Sequence, residues 1–154
     1  MNQPEKLLQQ YFGHASFRTG QKQAIDAILS GRDVLAVMPT GAGKSVCYQI
    51  SALLLRGVTI VISPLISLMK DQVGTLNQAG IHAAFLNSSL TQGQYHTALK
   101  YAMQGRYKII YVAPERLEMP GFQRFAQERT ISMVTVDEAH CCLLYTSPSP
   151  RDTR

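Results

Sequence analysis

The sequence predicts an α/β fold, a mainly parallel sheet with helices on both faces. Three observations carry that expectation. Five short apolar runs alternate with longer stretches whose apolar residues recur at helical spacing. The first run, Asp33-Val-Leu-Ala-Val-Met38, leads into the glycine-rich segment Pro39-Thr-Gly-Ala-Gly-Lys-Ser45. The last, Ile131-Ser-Met-Val-Thr-Val136, ends in Asp137-Glu138, two carboxylates at the strand edge where ligands of open α/β sheets gather.

Pro4 to Phe12 and Thr19 to Leu29 read as two amphipathic helices joined through Gly13 and closed by Gly31. Val34 to Met38 is the first strand, and the glycine-rich turn precedes a helix from Ser45 to Arg56. Val58 to Ile62 is the second strand. Pro64 to Gln78 reads as a helix opened by Ser63 and stopped by Gly80, with Leu65, Leu68 and Met69 facing the core. His82 to Leu86 is the third strand, Thr91 to Met103 a helix with Gly105 behind it, and Lys108 to Val112 the fourth strand. Phe122 to Glu128 is a short helix, and Ile131 to Val136 the fifth strand. No internal repeat interrupts this alternation.

At 154 residues and 45% hydrophobic, the chain can bury one sizeable core. No run of eighteen apolar residues occurs, and the start, Met-Asn-Gln-Pro-Glu-Lys, has no signal-peptide pattern. The expectation is a soluble protein of the cytoplasm, with no membrane partner. Cys47, Cys141 and Cys142 form no C-x-x-C pair, which suits a reducing compartment. A net charge of +5, from 15 basic and 10 acidic residues scattered along the chain, permits a polyanion partner without demonstrating one.

The loop's residue types match phosphate chemistry. Backbone N–H groups in a glycine-rich turn between strand and helix can point at phosphate oxygens, and side chains larger than hydrogen would block the approach. Thr40, Gly41, Ala42, Gly43, Lys44 and Ser45 are the expected nucleotide contacts. Lys44 reaches the β- and γ-phosphates, and the Ser45 hydroxyl can ligate Mg²⁺. The strict template G-x-x-x-x-G-K-[ST] asks for glycine where the chain has Met38, so the flanking strand and helix decide the reading. At the end of the last strand, Asp137 would hold Mg²⁺ and Glu138 would orient and deprotonate the attacking water. An acidic first turn of a helix would also account for two carboxylates, but not for their pairing with a phosphate loop upstream. Together the two motifs indicate an ATP-using protein.

Three further segments are ambiguous from residue chemistry alone. Phe12-Gly-His-Ala-Ser-Phe-Arg-Thr-Gly-Gln21 offers adenine a flat ring at His14, a guanidinium at Arg18 and, at Gln21, an amide that donates and accepts at once. Taken alone, the segment is better accounted for by a plain helix connection with Phe17 in the core, Arg18 on the surface and Gln21 solvated. Ser63-Pro-Leu-Ile-Ser-Leu-Met-Lys-Asp-Gln72 and Val112-Ala-Pro-Glu-Arg-Leu117 follow strands at the rim of the sheet. There they can hold phosphates or simply start helices.

Taken in order, these five motifs resemble one family. Leu7 through Cys141 is similar to the first motor lobe of RecQ-type DNA helicases, within the superfamily 2 helicases. The resemblance implies a RecA-like P-loop NTPase lobe, here incomplete, ATP-dependent translocation on single-stranded DNA with 3′-to-5′ polarity that unwinds DNA, single-stranded or partly duplex DNA as partner, and roles in recombination and repair. It further implies that Arg18 and Gln21 read adenine, that Lys44, Asp137 and Glu138 carry hydrolysis, and that His140 couples nucleotide state to DNA. The segments 63–72 and 112–117 would then touch the DNA backbone. Related motors assemble their ATPase site between two lobes, so the isolated chain is expected to be nearly inactive. Other classes remain open: another superfamily 2 motor acting on RNA, or a non-catalytic module that binds ATP or DNA.

Two features depart from the family pattern. His14 stands where many relatives carry tyrosine, which keeps a flat ring and adds a titratable group. After Cys141 the chain reads Cys142-Leu-Leu-Tyr-Thr-Ser-Pro-Ser-Pro-Arg-Asp-Thr-Arg154, with no crossover helix. The expected division is a partial ATP-binding lobe at 1–141 and a foreign tail at 142–154. That tail is expected to pack against nothing and to leave the last strand with an unpaired edge.

Overall fold

The computed structural model describes residues 3–37, 41–137 and 141–146. Six strands form one sheet in the order β1-β6-β5-β2-β4-β3. These are β1 (Val34–Val37), β2 (Val58–Ile62), β3 (Ala83–Leu86), β4 (Ile109–Val112), β5 (Ile131–Asp137) and β6 (Cys141–Thr146). The run β5-β2-β4-β3 is wholly parallel, each strand returning through a helical crossover as the alternating pattern requires. All five predicted strands form where the apolar runs lie.

Residue alternation along the strands sorts the core into two faces. Val61, Ile109, Tyr111 and Met133 pack beneath α3 (Gly41–Leu54) and α4 (Ile66–Gln78), with Tyr48, Met69, Val73 and Leu76. On the opposite face Ile60, Ile110 and Val112 meet Tyr95 and Ala102 of α5 (Gln92–Met103) and Phe122 and Phe125 of α6 (Pro120–Glu128). A third cluster, Leu8, Ile25 and Ile50, seats the N-terminal turns and α2 (Gln21–Leu29) on the outside of α3. α1 (Gln3–Leu7) continues into a π turn over Leu8–Phe12, which ends at Gly13 with φ 74°. Thr91 caps α5 through a reciprocal box, its side chain accepting from Gln94 N at 3.1 Å while the Gln94 amide accepts from Thr91 N at 2.9 Å.

Several boundaries differ from the sequence reading. α3 starts at Gly41, so the glycine-rich residues form its first turn. The N–H groups of a helix's first turn are the ones that can serve a ligand at that end. α4 starts at Ile66, not at Pro64. Ser63 accepts from Leu65 N at 3.2 Å in a local turn ahead of the helix rather than capping it. With the start displaced, Met69 is buried, but Leu65 and Leu68 stand 46% and 37% exposed, so neither is the core residue expected.

The largest correction concerns the stretch after Cys141. β6 lies between β1 and β5 and is antiparallel to both, pairing Val37 with Cys141, Leu35 with Leu143, Asp137 with Cys142 and Met133 with Thr146. Residues 142–144 therefore pair on both sides and 145–146 pair with β5, instead of packing against nothing, and β5 has a partner on each side. Only three residues, 138–140, separate β5 from β6. A parallel return needs about a dozen, so a strand following directly can pair only antiparallel. Residues 147–154 lie outside the described ones. The open edges are β1, where Leu35 is 63% exposed, and β3.

The tight turn between α3 and β2 is closed by Gly57, with φ 75°. Lys108 Nζ donates to the Leu55 and Gly57 carbonyls at 2.6 and 3.3 Å beside it. A Cβ on Gly57 would sit 2.5 Å from Thr130 O and 2.8 Å from Ser132 Oγ, whereas one on Gly13 would meet nothing within 4 Å. Both substitutions to alanine strain the backbone. Gly57→Ala is expected to lower unfolding free energy by about 2 kcal/mol or more and Gly13→Ala by about 1 kcal/mol. Urea titrations that gave equal losses would show that the Thr130 contact does not matter.

Candidate nucleotide site

Because the strands that carry them are parallel, the carboxyl ends of β2, β3, β4 and β5 lie on one edge of the sheet, and the start of α3 faces that edge. Lys44, in the first turn of α3, and Asp137, the last residue of β5, meet there. Lys44 Nζ lies 3.2 Å from Asp137 Oδ1, with the two side chains only 3% and 9% exposed. The two sequence motifs are thus brought into direct contact. Ser45 is also buried, and its hydroxyl accepts from Gln72 Nε2 at 2.9 Å. Hydroxyl and carboxylate oxygens are the hard donors that Mg²⁺ selects, so the residues present fit that ion.

Around these groups lies a polar cluster that the sequence reading did not single out. Tyr111 OH donates to Gln72 Oε1 at 2.6 Å and lies 3.2 Å from Tyr48 OH. Gln49 Nε2 donates to Tyr111 OH at 3.0 Å. Tyr48 OH is 2.9 Å from Gln72 Oε1 and 3.3 Å from Asp137 Oδ2. Burial, then the neighbouring Tyr111 and Asp137, hold the Tyr48 phenol well above its ordinary range, so it stays a donor. One sequence signal pointed here: Tyr48 and Gln49 lie three and four residues beyond Ser45 on the same helix, which puts all three on one face.

The adenine candidates also converge. His14, Arg18 and Gln21 line one small cavity of about 90 Å³ together with Leu8, Ser16, Gly43 and Val46. Gln21 is 4% exposed, so it is not the solvated residue of the plainer reading. Its Oε1 accepts from Arg18 N at 2.7 Å and its Nε2 donates to Gly43 O at 3.2 Å. A primary amide has two donors and two acceptor lone pairs, so one of each is left for a base. Cys47 Sγ donates to the same Gly43 carbonyl at 3.5 Å, and burial pushes its thiol up to about 11, which leaves it an unreactive packing group.

Thr40, Glu138 and His140 lie outside the described residues, as do the side chains of Gly41 and Ala42. At the rim, Arg116 is not simply solvated. Its guanidinium carbon sits 5.2 Å over the Tyr95 ring, and one of its N–H groups reaches Asn87 O at 3.4 Å. Glu115 is exposed. Among the described residues no helix is long and apolar enough to cross a membrane.

Comparison with known proteins identifies the lineage of this arrangement. The family model for the DEAD/DEAH box helicase matches residues 18–148, a span that holds both the loop and Asp137. The chain belongs to the DEAD/DEAH box helicase family. Within the family it is 48% identical over 142 residues to the ATP-dependent DNA helicase RecQ of Bacillus subtilis, a match covering 92% of this chain and 24% of that protein. RecQ of Haemophilus influenzae is 48% identical over 135 residues, covering 88% of this chain and 22% of the relative. The ATP-dependent DNA helicase Q-like 5 of Arabidopsis thaliana is 46% identical over 137 residues, with 88% and 15% covered. The chain thus spans about a quarter or less of these helicases, and its sheet with flanking helices is the RecA-like α/β lobe that the motifs imply.

In this member of the DEAD/DEAH box helicase family the buried pair has a thermodynamic signature. Removing one partner of a buried ion pair leaves its charge in a poor solvent, whereas removing both can be nearly neutral. Asp137→Asn is expected to lower stability by roughly 3–5 kcal/mol, and Lys44→Met combined with Asp137→Asn by clearly less. Chemical denaturation of the two single variants and the double variant checks this. Additive losses would mean that the two charges do not interact.

Proposed function

We propose that this chain is the nucleotide-binding part of a RecQ-type ATP-dependent DNA helicase, with ATP and Mg²⁺ as ligands and single-stranded or partly duplex DNA as partner. The observation that carries this is the buried contact between Lys44 and Asp137, which joins a phosphate loop to a strand-end carboxylate in a chain 48% identical to a RecQ helicase.

Each residue's role follows from its chemistry. Lys44 binds the β- and γ-phosphates through charge-assisted hydrogen bonds, exchanging its carboxylate partner for a phosphate oxygen. The N–H groups of Gly41, Ala42, Gly43 and Lys44 cradle the same phosphates at the start of α3. Asp137 and Ser45 are the residues that would hold Mg²⁺. The ion's contribution when bound is to neutralise charge on the transferring phosphoryl group. Glu138 orients the attacking water and accepts its proton. Arg18 and Gln21 hydrogen-bond adenine while His14 stacks on it, and His140 passes the nucleotide state toward DNA. The segments 63–72 and 112–117 touch the DNA backbone, contacts that position the strand without reading its sequence. Turnover requires an arginine from the second lobe, a contribution of ~10³ to 10⁵ in rate. The proposed setting is the bacterial cytoplasm or nucleoid.

Lys44→Ala is expected to weaken binding of a fluorescent ATP analogue to this chain by at least tenfold, or about 1.4 kcal/mol. Glu138→Gln should bind nucleotide as wild type does and abolish DNA-stimulated hydrolysis in the full-length protein, since an amide keeps the shape but cannot accept the proton. Unchanged binding in the first variant or wild-type turnover in the second would remove the assigned roles. Stimulation of the full-length ATPase by RNA rather than by single-stranded DNA would exclude the RecQ-type reading.

Base selectivity is a separate expectation. Gln21→Ala should weaken ATP several-fold more than GTP in a competition assay, because the amide's remaining donor and acceptor match the amino group and ring nitrogen of adenine. Equal losses for both nucleotides would make Gln21 a structural tie between α2 and Gly43.

A further inference from the structure

Gln72 belongs to α4, 27 residues from Ser45 in sequence, yet its amide meets the Ser45 hydroxyl at 2.9 Å. A glutamine on a helix flank ordinarily turns toward water. Here its orientation is set from below. Gln72 Oε1 accepts from Tyr111 OH at 2.6 Å and lies 2.9 Å from Tyr48 OH. Both phenols are buried, at 2% and 0% exposure. With the carbonyl end held by the tyrosines, the N–H end points at Ser45.

A serine hydroxyl has one proton and two lone pairs. An N–H donated by Gln72 occupies one lone pair and confines the other lone pair and the proton to the two remaining positions. That is the arrangement by which outer groups orient a metal ligand. Tyr48 also reaches the carboxylate, its hydroxyl lying 3.3 Å from Asp137 Oδ2, so its single proton is shared between that oxygen and Gln72 Oε1. One cluster, built on α3, α4, β4 and β5, therefore touches both oxygen donors.

We propose that Gln72 is a positioning residue for the metal site, holding the Ser45 hydroxyl in the orientation that accepts Mg²⁺, with Tyr48 and Tyr111 fixing the glutamine amide in turn. The inference rests on the reading of Ser45 and Asp137 as the Mg²⁺ ligands. It makes the ligand geometry depend on α4, an element outside the nucleotide loop.

The test is a Mg²⁺ titration of fluorescent ATP analogue binding to this chain, with a parallel measurement in EDTA. Gln72→Met keeps the length of the side chain and removes its donor and acceptor. It should raise the Mg²⁺ concentration for half-maximal effect by roughly tenfold, the usual consequence of losing an outer-shell partner, while affinity in EDTA stays within about twofold. Tyr111→Phe should shift Mg²⁺ dependence in the same direction by less. In a Ser45→Ala background Gln72→Met should add nothing, because the hydroxyl it positions is gone. An unshifted Mg²⁺ midpoint in Gln72→Met, or a shift that persists in full without the Ser45 hydroxyl, overturns the proposal. Loss of binding in EDTA as well would make Gln72 a support of the fold and also overturn it. Failure of the wild-type chain to bind the analogue at all would instead strike the nucleotide-site reading on which the proposal stands.

Discussion

The contact between Lys44 and Asp137 is the constraint around which the sheet edge is organised. Two opposite charges, each nearly removed from water, are tolerated only when they face one another and their remaining hydrogen-bonding capacity is met. Asp137 meets that demand through Tyr48 as well as Lys44. The pair also prepares the site for exchange. On the proposed reading an incoming polyphosphate would offer Lys44 a stronger anion and leave Asp137 to take a divalent cation, so the two partners would become separate ligands without a buried charge being stranded.

The backbone places those side chains through strand order. β6 lies between β1 and β5, and strand spacing then puts β1 about 10 Å from β5. The main chain of β6 fills that gap, and the α3 helix lies over the sheet face that carries Tyr111 and Met133, so its side chains reach β5 from above. Lys44 does so at the edge, and Tyr48 does so one turn further along α3. The antiparallel direction of β6 follows from its three-residue connection to β5. The neighbouring strands stay parallel because each is separated by a helix.

Most of the fold was legible in the residue pattern, because burial on both faces produces continuous apolar runs and helices between them keep a helical period. The five runs became five strands. The errors fell where local and tertiary preferences compete. Ser63-Pro64 has the chemistry of a helix start, but the serine turned back on Leu65 N, and the helix began at Ile66. Leu65 and Leu68 read as core because they are apolar, yet helix orientation left them exposed. The stretch after Cys141 was expected to lie outside the fold for lack of a crossover helix. A sheet with space between two strands could still pair it.

By itself the sequence determined the chemical inventory of this protein. It contained a glycine-rich turn with Lys44 and Ser45, a strand-end Asp137, an amide at Gln21 and the alternation that puts parallel strand ends on one edge. Those are local properties, set by residue type and spacing. What only the tertiary structure decided was which groups touch. Gln72 and Tyr111 are ordinary residues of a helix and a strand until packing brings them within hydrogen-bond reach of Ser45 and Tyr48. Gln21 has two plausible fates until burial selects one. Neither outcome is written in a spacing rule, because each depends on side chains from elements far apart in the chain competing for the same buried space.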